Sequence, residues 1–272
     1  MLTFNSKNQL RQFLAEDIGK GDITSNLLTK KKIVAKIISR ENAIVAGTKY
    51  AKEIFKIKGC HTRILKKDGS KIKPNQAIMI ITGNAGNILT CERTALNLLT
   101  RMSGIATQTN SLVKKIPKNT KLYATRKTVP GLRYFDKEAV EIGGGKKHRL
   151  TLDEMVMIKD NHIAIEGSLM SLIKKTKKKY KKFEVEVENT QDAILAATEG
   201  ATIIMLDNFT PAQIKKTINI LKNSKLRDKV LLEASGGINS KNISKYGKTG
   251  VDIISVGSIT NSVKGIDVSL EI

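Results

Sequence analysis

Residues 121–162, KLYATRKTVPGLRYFDKEAVEIGGGKKHRLTLDEMVMIKDNH, decide the fold of this chain. The stretch contains two short apolar runs, at 122–125 and 155–158, and each run ends at a cation, Arg126 after the first and Lys159 after the second. A strand that is buried on both faces reads as a continuous apolar run of this kind. Either cation alone could reach solvent at its strand end. Together they predict two buried strands that bring positive charge to the same end of a sheet.

The part of the chain after residue 104 alternates short apolar runs with helical patterns. This alternation predicts parallel strands joined by right-handed crossovers. About 160 residues are too few for a complete eight-stranded barrel of roughly 250 residues, so we predict an α/β fold with an incomplete β/α barrel of six or seven strands. The strands are expected at 122–125, 155–158, 183–187, 203–206, 230–232 and 253–256.

The earlier part of the chain has short strands and turns in a different order. An amphipathic helix is expected from Asn87 to about Gly104. We predict an α+β sandwich-like domain over residues 1–104 and an open barrel domain over 105–261. The C-terminal segment 262–272 ends in a strand pattern and is expected to join the N-terminal domain.

The charge balance is strongly basic, because 48 Lys and Arg against 25 Asp and Glu give a formal net charge of +23. Such a field favours acidic partners, and a nucleic-acid-binding protein on a barrel scaffold is one alternative. Aromatic residues make up only 4% of the chain and do not alternate with the lysine cluster at 174–182, so platforms for stacking bases are scarce. We therefore expect a solvated lysine surface and no specific nucleic acid.

Two further features bear on the cellular compartment. Cys60 and Cys91 form neither a CxxC motif nor a zinc spacing, as expected in a reducing cytosol. The longest apolar stretches are far shorter than 18 residues, and the N-terminal residues lack a charged leader followed by an apolar run. We predict a cytoplasmic protein with no membrane segment.

The strand expected at 183–187 carries carboxylates at alternate positions. With a period of two, Glu184, Glu186 and Glu188 share one face of the strand. In a central barrel strand these carboxylates would project into the barrel, which is costly unless cations or a metal oppose them. The alternative is an edge strand with solvated glutamates. The cations available to oppose them are Arg126, Lys127, Arg149 and Lys159.

Two glycine-containing loops favour phosphate. SGGIN at 235–239 and VGSIT at 256–260 follow the last two predicted strands, where barrels often bind phosphate through backbone N–H groups. Glycine at a helix start is also ordinary turn chemistry. The chain has no convincing Ser/His/Asp set, cysteine nucleophile or HExxH motif. The residues alone therefore predict a cationic site for a polyanionic substrate, acting through the placement of charge.

The chain resembles the quinolinate phosphoribosyltransferase family through seven short motifs in order: ATRKT, GGGKKHR, IKDNH, EVEVEN, IMLDN, EASGGI and SVGSIT. EDIGKGDIT and ERTALNLLTRMSGIAT, further upstream, match as well, so the resemblance covers nearly the whole chain. It implies a pentosyltransferase of NAD biosynthesis, the carboxylating nicotinate-nucleotide pyrophosphorylase. That reaction transfers phosphoribosyl from phosphoribosyl pyrophosphate to quinolinate, and gives nicotinate mononucleotide, CO₂ and pyrophosphate.

The resemblance also implies a role for each matching residue. Arg93 would reach the site from a partner subunit, so at least a homodimer is expected. The two quinolinate carboxylates would be bound by Arg126, His148, Arg149 and Lys159.

The remaining roles concern the sugar and the phosphates. Lys127 would meet the phosphates, while Glu188 and Asp207 would hold the ribose hydroxyls and Mg²⁺. Together with Lys159, these two carboxylates are the expected catalytic residues. The 5′-phosphate would lie against the two glycine loops, at Ser235, Gly236, Gly237, Gly257 and Ser258.

Three positions depart from the family's usual pattern. Asn261 stands where a His is usual, Lys147 stands where an Asn is frequent, and Ser258-Ile259 stands where Ala-Leu is frequent. We expect altered phosphate contacts rather than lost activity.

The nearer alternative is a phosphoribosyltransferase-like protein of the molybdenum-transport-associated group, which shares the fold and the GGG…HR segment. The intact IKDNH motif with Lys159 favours quinolinate, because a second carboxylate on the substrate calls for a further cation.

Overall fold

The computed structural model describes residues 6–272 and divides them into two compact units. The first unit comprises the residues up to 110 together with 129–144 and 262–272. The second comprises 111–128 and 145–261. None of the described helices is long and apolar enough to cross a membrane.

The described residues form ten α-helices and twelve strands, with short 3₁₀ helices at Ser25–Leu27 and Arg227–Lys229. The helices are α1 Ser6–Ile18, α2 Thr48–Ile57, α3 Ala85–Val113, α4 Arg133–Ile142, α5 Asp160–Glu166, α6 Leu169–Lys177, α7 Thr190–Thr198, α8 Pro211–Asn223, α9 Ile243–Gly247 and α10 Ser258–Asn261. The strands are β1 Lys32–Ser39, β2 Ala43–Ile44, β3 His61–Ile64, β4 Lys71–Ile72, β5 Ala77–Asn84, β6 Lys121–Tyr123, β7 Val156–Ile158, β8 Phe183–Val187, β9 Ile203–Asp207, β10 Leu231–Ser235, β11 Ile253–Ser255 and β12 Val268–Glu271.

The first unit is built on an antiparallel sheet in the order β12-β1-β5-β3, beside a small β2–β4 pair. The C-terminal tail supplies β12, which pairs with β1 in the register Lys36↔Glu271. The buried side chains of β1 and β5, among them Ile37 and Ile81, form part of the unit's core. This half of the chain thus has the α+β character that its sequence predicts.

The helix expected to stop near Gly104 continues to Val113 as α3, so the predicted end was wrong. Gly104 serves a different purpose, since a Cβ at this position would lie 2.2 Å from the carbonyl oxygen of Lys264. The glycine therefore allows a close backbone approach inside the first unit and does not terminate the helix.

Helix α4 packs within the first unit, although the sequence placed its segment with the barrel. Its Phe135 is fully buried and meets the Tyr50 ring edge-on, with centroids 4.8 Å apart. Asp136 is also fully buried and accepts two hydrogen bonds from Arg101, at 2.7 and 2.8 Å. The paired geometry compensates the buried carboxylate, which would otherwise be costly.

The second unit contains six parallel strands in the order β6-β11-β10-β9-β8-β7. An isolated parallel bridge between Tyr123 and Lys146 extends the pairing beyond β6. Together with the helices between its strands, this sheet confirms the predicted incomplete barrel. Strand β8 lies between β7 and β9, so the alternative of an edge strand is wrong.

Local capping explains where two of the crossover helices begin. The Asn189 side chain accepts a hydrogen bond from the Asp192 N–H at the start of α7. Helix α8 begins with a capping box between Thr210 and Gln213, and Pro211 occupies its first turn. Both caps follow directly on strands, and so they fix where the chain turns away from the sheet.

Replacing Gly104 by Ala tests the close approach in the first unit. We expect the Gly104→Ala variant to lose about 1–3 kcal/mol of unfolding free energy in urea titrations, because the backbone near Lys264 has to shift. Gly86→Ala, on the same helix, is the matched control, since its nearest contact of 3.4 Å leaves room for the methyl group. That control should be neutral or slightly stabilising. An unchanged urea midpoint for Gly104→Ala would contradict the interpretation.

Candidate active site

A cavity of about 320 Å³ opens at the carboxyl ends of the strands in the second unit. This is the position at which barrel enzymes build their sites. The cavity brings together seven of the residues predicted from the sequence: Arg126, Lys127, His148, Arg149, Lys159, Asp207 and Ser235.

The strand register explains why these side chains meet. Residues opposite each other on parallel strands point to the same face, and Glu186, Met205 and Glu233 stand side by side on β8, β9 and β10. Asp207 and Ser235 stand side by side one step nearer the carboxyl ends. All five line the cavity. The predicted inward direction of Glu184 and Glu186 is confirmed, because Glu184 is fully buried and Glu186 lines the cavity.

Two arginines give the cavity its positive wall. The Nε atom of Arg126 is buried, and no hydrogen-bond partner for it occurs among residues 6–272. Arg149 is only 9% exposed, and its Nη1 donates to the carbonyl oxygen of Met155 at 3.2 Å. Burial lowers the pKa of Arg149, and the nearby charge of Arg126 lowers it further. Two guanidiniums this close to each other favour an anion between them.

Lys159 enters the cavity from the end of β7, where it forms an ion pair with Glu186. Its backbone N–H donates to Nδ1 of His162 at 3.0 Å, at the start of α5. The His of the IKDNH motif therefore caps the helix and holds the lysine at the mouth of the strand.

The loop after β9 and the loop after β10 hold each other in place. Asn208 has a positive φ of 57° and donates from its side chain to Asp207 Oδ2 at 2.7 Å. Gly236 has a φ of 89°, and a Cβ there would lie 2.1 Å from the Asn208 side-chain oxygen. Only glycine fits this position, so the LDN and SGG motifs form one structural unit beside the cavity.

The loop after β11 is joined to the loop after β6 in the same way. Thr260 Oγ1 donates to the carbonyl oxygen of Lys127 at 2.8 Å. A Cβ on Gly257 would lie 3.0 Å from Cδ of Lys127. Lys127 itself is exposed and lines the cavity, so this loop pair places a cation beside the Gly257 turn.

Several predicted site residues are not among those that line the cavity. Arg93 is exposed on α3 in the first unit, and Glu188 is exposed just beyond the end of β8. Asn261, named above as a departure from the family's usual His and not as a site residue, is exposed at the end of α10. The remaining residues lie in the two glycine loops beside the cavity: Gly236, Gly237, Gly257 and Ser258.

The structure adds a feature that the sequence did not single out, a buried cluster of His148, Glu184 and Glu233. Nε2 of His148 lies 3.3 Å from Glu184 Oε2 and 3.5 Å from Glu233 Oε2. Both carboxylates are fully buried. Glu233 could have been noticed as a lone carboxylate in the apolar run VLLEAS, since a buried strand rarely carries an acid without a partner.

Burial and mutual repulsion affect the protonation of this cluster. Burial raises the pKa of Glu184 to about 7, against the opposing effect of the hydrogen bond to His148. Burial alone would lower the pKa of His148, but the hydrogen bonds and charges of Glu184 and Glu233 raise it to about 9. A second proton on the ring has to sit on Nδ1, which accepts a hydrogen bond from the Arg149 backbone N–H at 2.7 Å. Double protonation of His148 therefore requires that hydrogen bond to open.

Comparison with known proteins identifies relatives over almost the whole chain. Family models of the N-terminal and C-terminal domains of quinolinate phosphoribosyl transferase match residues 22–103 and 105–271. A probable nicotinate-nucleotide pyrophosphorylase (carboxylating) of Methanothermobacter thermautotrophicus is 43% identical over 271 residues, and the match covers 97% of each chain. One from Archaeoglobus fulgidus is 44% identical over 255 residues, or 93% of this chain and 98% of the relative.

The solved structures agree with the sequence comparisons. The nicotinate-nucleotide pyrophosphorylase of Francisella tularensis superposes with a TM-score of 0.90 at 41% identity, and covers 98% of this chain and 95% of its own. The one from Ehrlichia chaffeensis superposes with a TM-score of 0.92 at 36% identity, and the match covers 100% of this chain and 99% of its own.

Proposed function

The chain belongs to the quinolinate phosphoribosyl transferase family, and from that premise we propose that it converts quinolinate and phosphoribosyl pyrophosphate into nicotinate mononucleotide, CO₂ and pyrophosphate. The family, the enzyme class and the reaction predicted from the sequence are confirmed by the matched domain models and by relatives that carry this activity in their names. The assignment of roles to individual residues is our proposal.

The observation that carries the proposed substrate site is the convergence of cations in one small cavity. Arg126, Arg149 and Lys159 all line it, and Arg126 keeps a buried Nε for which the described protein offers no acceptor. Quinolinate has two adjacent carboxylates, and planar guanidiniums suit them better than point charges do. These three side chains would bind the two carboxylates and fix the direction of the ring nitrogen. His148, whose two ring nitrogens face the Arg149 N–H and the buried glutamates, would contribute through its position beside Arg149.

The sugar and the leaving group would lie toward the mouth of the cavity. The β8–β9 ladder ends with Val187 opposite Leu206, so Glu188 and Asp207 follow at neighbouring strand ends. We propose that these carboxylates hold the ribose hydroxyls, and that Lys127 contacts the phosphates. The backbone around Ser235 and Ser258 would receive the 5′-phosphate, with Gly236, Gly237 and Gly257 allowing the close approach.

Mg²⁺ fits the same carboxylates. Oxygen ligands from one or two carboxylates plus substrate phosphates are the usual protein environment of Mg²⁺. Asn208 occupies Asp207 Oδ2, which leaves Oδ1 available. When bound, the ion would neutralise the charge of the departing pyrophosphate.

The chemistry then needs little more than positioning. The quinolinate nitrogen attacks the anomeric carbon as the bond to pyrophosphate breaks through an oxocarbenium-like state. Loss of CO₂ follows at the neighbouring ring carbon, where the positive charge of the quaternised nitrogen stabilises the electron pair that remains. A proton that comes ultimately from solvent then takes the place of the carboxylate on that carbon. Cations that hold the carboxylates in place, and exclude water from them, are what the protein contributes.

The proposed assembly and compartment rest on separate features. Arg93 is exposed in the first unit, and we propose that it serves the active site of a second copy in a homodimer or a larger homo-oligomer. Cys60 and Cys91 are both free thiols, which supports a reducing cytoplasm.

Turnover with purified protein tests the reaction and the cationic site together. We expect nicotinate mononucleotide to form from quinolinate, phosphoribosyl pyrophosphate and Mg²⁺, and EDTA to stop the reaction. Lys159→Met should lower kcat/KM for quinolinate by roughly 10- to 100-fold, the worth of one hydrogen bond to a charged group. Lys216→Met, at an exposed lysine of α8, is the control and should leave turnover unchanged. Absence of product from the wild-type protein would refute the assignment.

Mixing two inactive variants tests the sharing of Arg93. Arg93→Ala and Asp207→Ala should each be nearly inactive as homo-oligomers. After the two are unfolded and refolded together, about a quarter of wild-type activity should return, because half of random dimers pair the two variants and hold one intact site each. If Arg93 acted within its own chain, no mixed dimer would contain an intact site. A mixture that stays inactive while wild type regains activity by the same procedure would therefore contradict the shared arginine.

A further inference from the structure

The cluster of His148, Glu184 and Glu233 lies in the interior of the second unit, and its two glutamates have no assigned role in the reaction. Glu184 is on β8 and Glu233 is on β10, and both side chains are fully buried. Neither their four carboxylate oxygens nor Nε2 of His148 has a well-aligned hydrogen-bond partner among residues 6–272, and the carboxylates approach Nε2 as ion pairs at 3.3 and 3.5 Å. Buried carboxylates are seldom left in this condition unless the arrangement serves a purpose.

His148 itself is held in an unusual conformation. Its φ of 52° lies in the left-handed region, which few residues other than glycine adopt. Three contacts constrain the ring: the two carboxylates at Nε2, the Arg149 N–H at Nδ1, and the Tyr123 ring, which it meets at 90° with centroids 5.6 Å apart.

The conformation of His148 decides where the next residue points. Arg149 follows directly, and its guanidinium lines the cavity, donates to the Met155 carbonyl and lies 3.1 Å from Met157 Sδ. The turn at His148 therefore sets the direction of one of the cavity's arginines. Nε2 carries a hydrogen in the singly and in the doubly protonated ring, so the carboxylates hold His148 in both forms.

We propose that Glu184 and Glu233 are positioning residues, which clamp the His148 imidazole at Nε2 and thereby fix Arg149 in the direction that a substrate carboxylate requires. This inference rests on the proposed function, and it concerns how well quinolinate is bound rather than how fast the bonds change. Both glutamates act through His148, Glu184 from behind the cavity wall and Glu233 from within the lining, and neither has to touch the substrate.

A divalent cation is the rival occupant of the cluster. The three ligand atoms lie within 4.8 Å of one another, close enough for a single ion. Two cations of the protein, Arg126 and Arg149, already line the same cavity, and another double charge beside them would be repelled. A shared hydrogen at Nε2 satisfies the same carboxylates without that charge.

Steady-state kinetics of the Glu184→Gln and Glu233→Leu variants test the clamp. We expect the KM for quinolinate to rise about 10-fold in Glu233→Leu, with kcat and the KM for phosphoribosyl pyrophosphate changed less than about twofold. Glu233→Gln keeps an acceptor oxygen and should restore most of the loss, whereas Glu199→Gln, at a surface ion pair of the same unit, should change nothing. The proposal would be overturned if Glu233→Leu changed the KM for quinolinate and the KM for phosphoribosyl pyrophosphate equally. It would also be overturned if the folded variant changed neither.

A second measurement uses the unaltered protein, so that it does not depend on a variant folding. The chain has only three histidines, and nitrogen-15 NMR should show one ring with a protonated Nε2 that exchanges slowly with water. An unprotonated Nε2 on His148 would overturn the clamp. The clamp would also be overturned if the wild-type protein bound one divalent metal ion per chain and the glutamate variants bound none. Failure of wild-type turnover would instead count against the proposed reaction, so the two failures are distinguishable.

Discussion

The second unit depends on one constraint: alternate side chains of parallel strands enter a shared interior, and here that interior carries charge. Glu184 and Glu186 project inward from β8, and Glu233 projects inward from β10, on the other side of β9. Each buried carboxylate has to be matched by a cation or a shared proton. Lys159 serves Glu186, and His148 serves the other two. With these pairs made, Arg126 keeps a buried Nε that has no hydrogen-bond partner among residues 6–272, and Arg126 lines the cavity beside Arg149.

The loops around the cavity are organised to preserve that balance. Gly236 fits against Asn208, which in turn holds Asp207. Thr260 ties down the backbone of Lys127 from the neighbouring loop. These contacts join loops that are distant in sequence, so the strand ends are held as a group. A site that works by placing charge, without a nucleophile, needs such rigidity more than it needs reactivity.

Much of this arrangement could be predicted from the sequence, since it follows from short-range periodicity. Arg126 and Lys159 stand at the ends of apolar runs, and the alternating glutamates of FEVEVE indicate an inward face. Glu233 was missed because a single acid in an apolar strand shows no period. Gly104 was misread as a helix end because its reason, the approach of Lys264, comes from a segment 160 residues away. Contacts of that range leave no local pattern in the chain.

The cavity of the second unit is expected to recognise two adjacent carboxylates on a pyridine ring. Isothermal titration calorimetry of the wild-type protein with quinolinate and with nicotinate, which lacks the second carboxylate, tests this most directly. We expect quinolinate to bind at least about 10-fold more tightly, a difference of about 1.4 kcal/mol that one additional carboxylate–cation contact accounts for. Equal affinities for the two ligands would contradict the account.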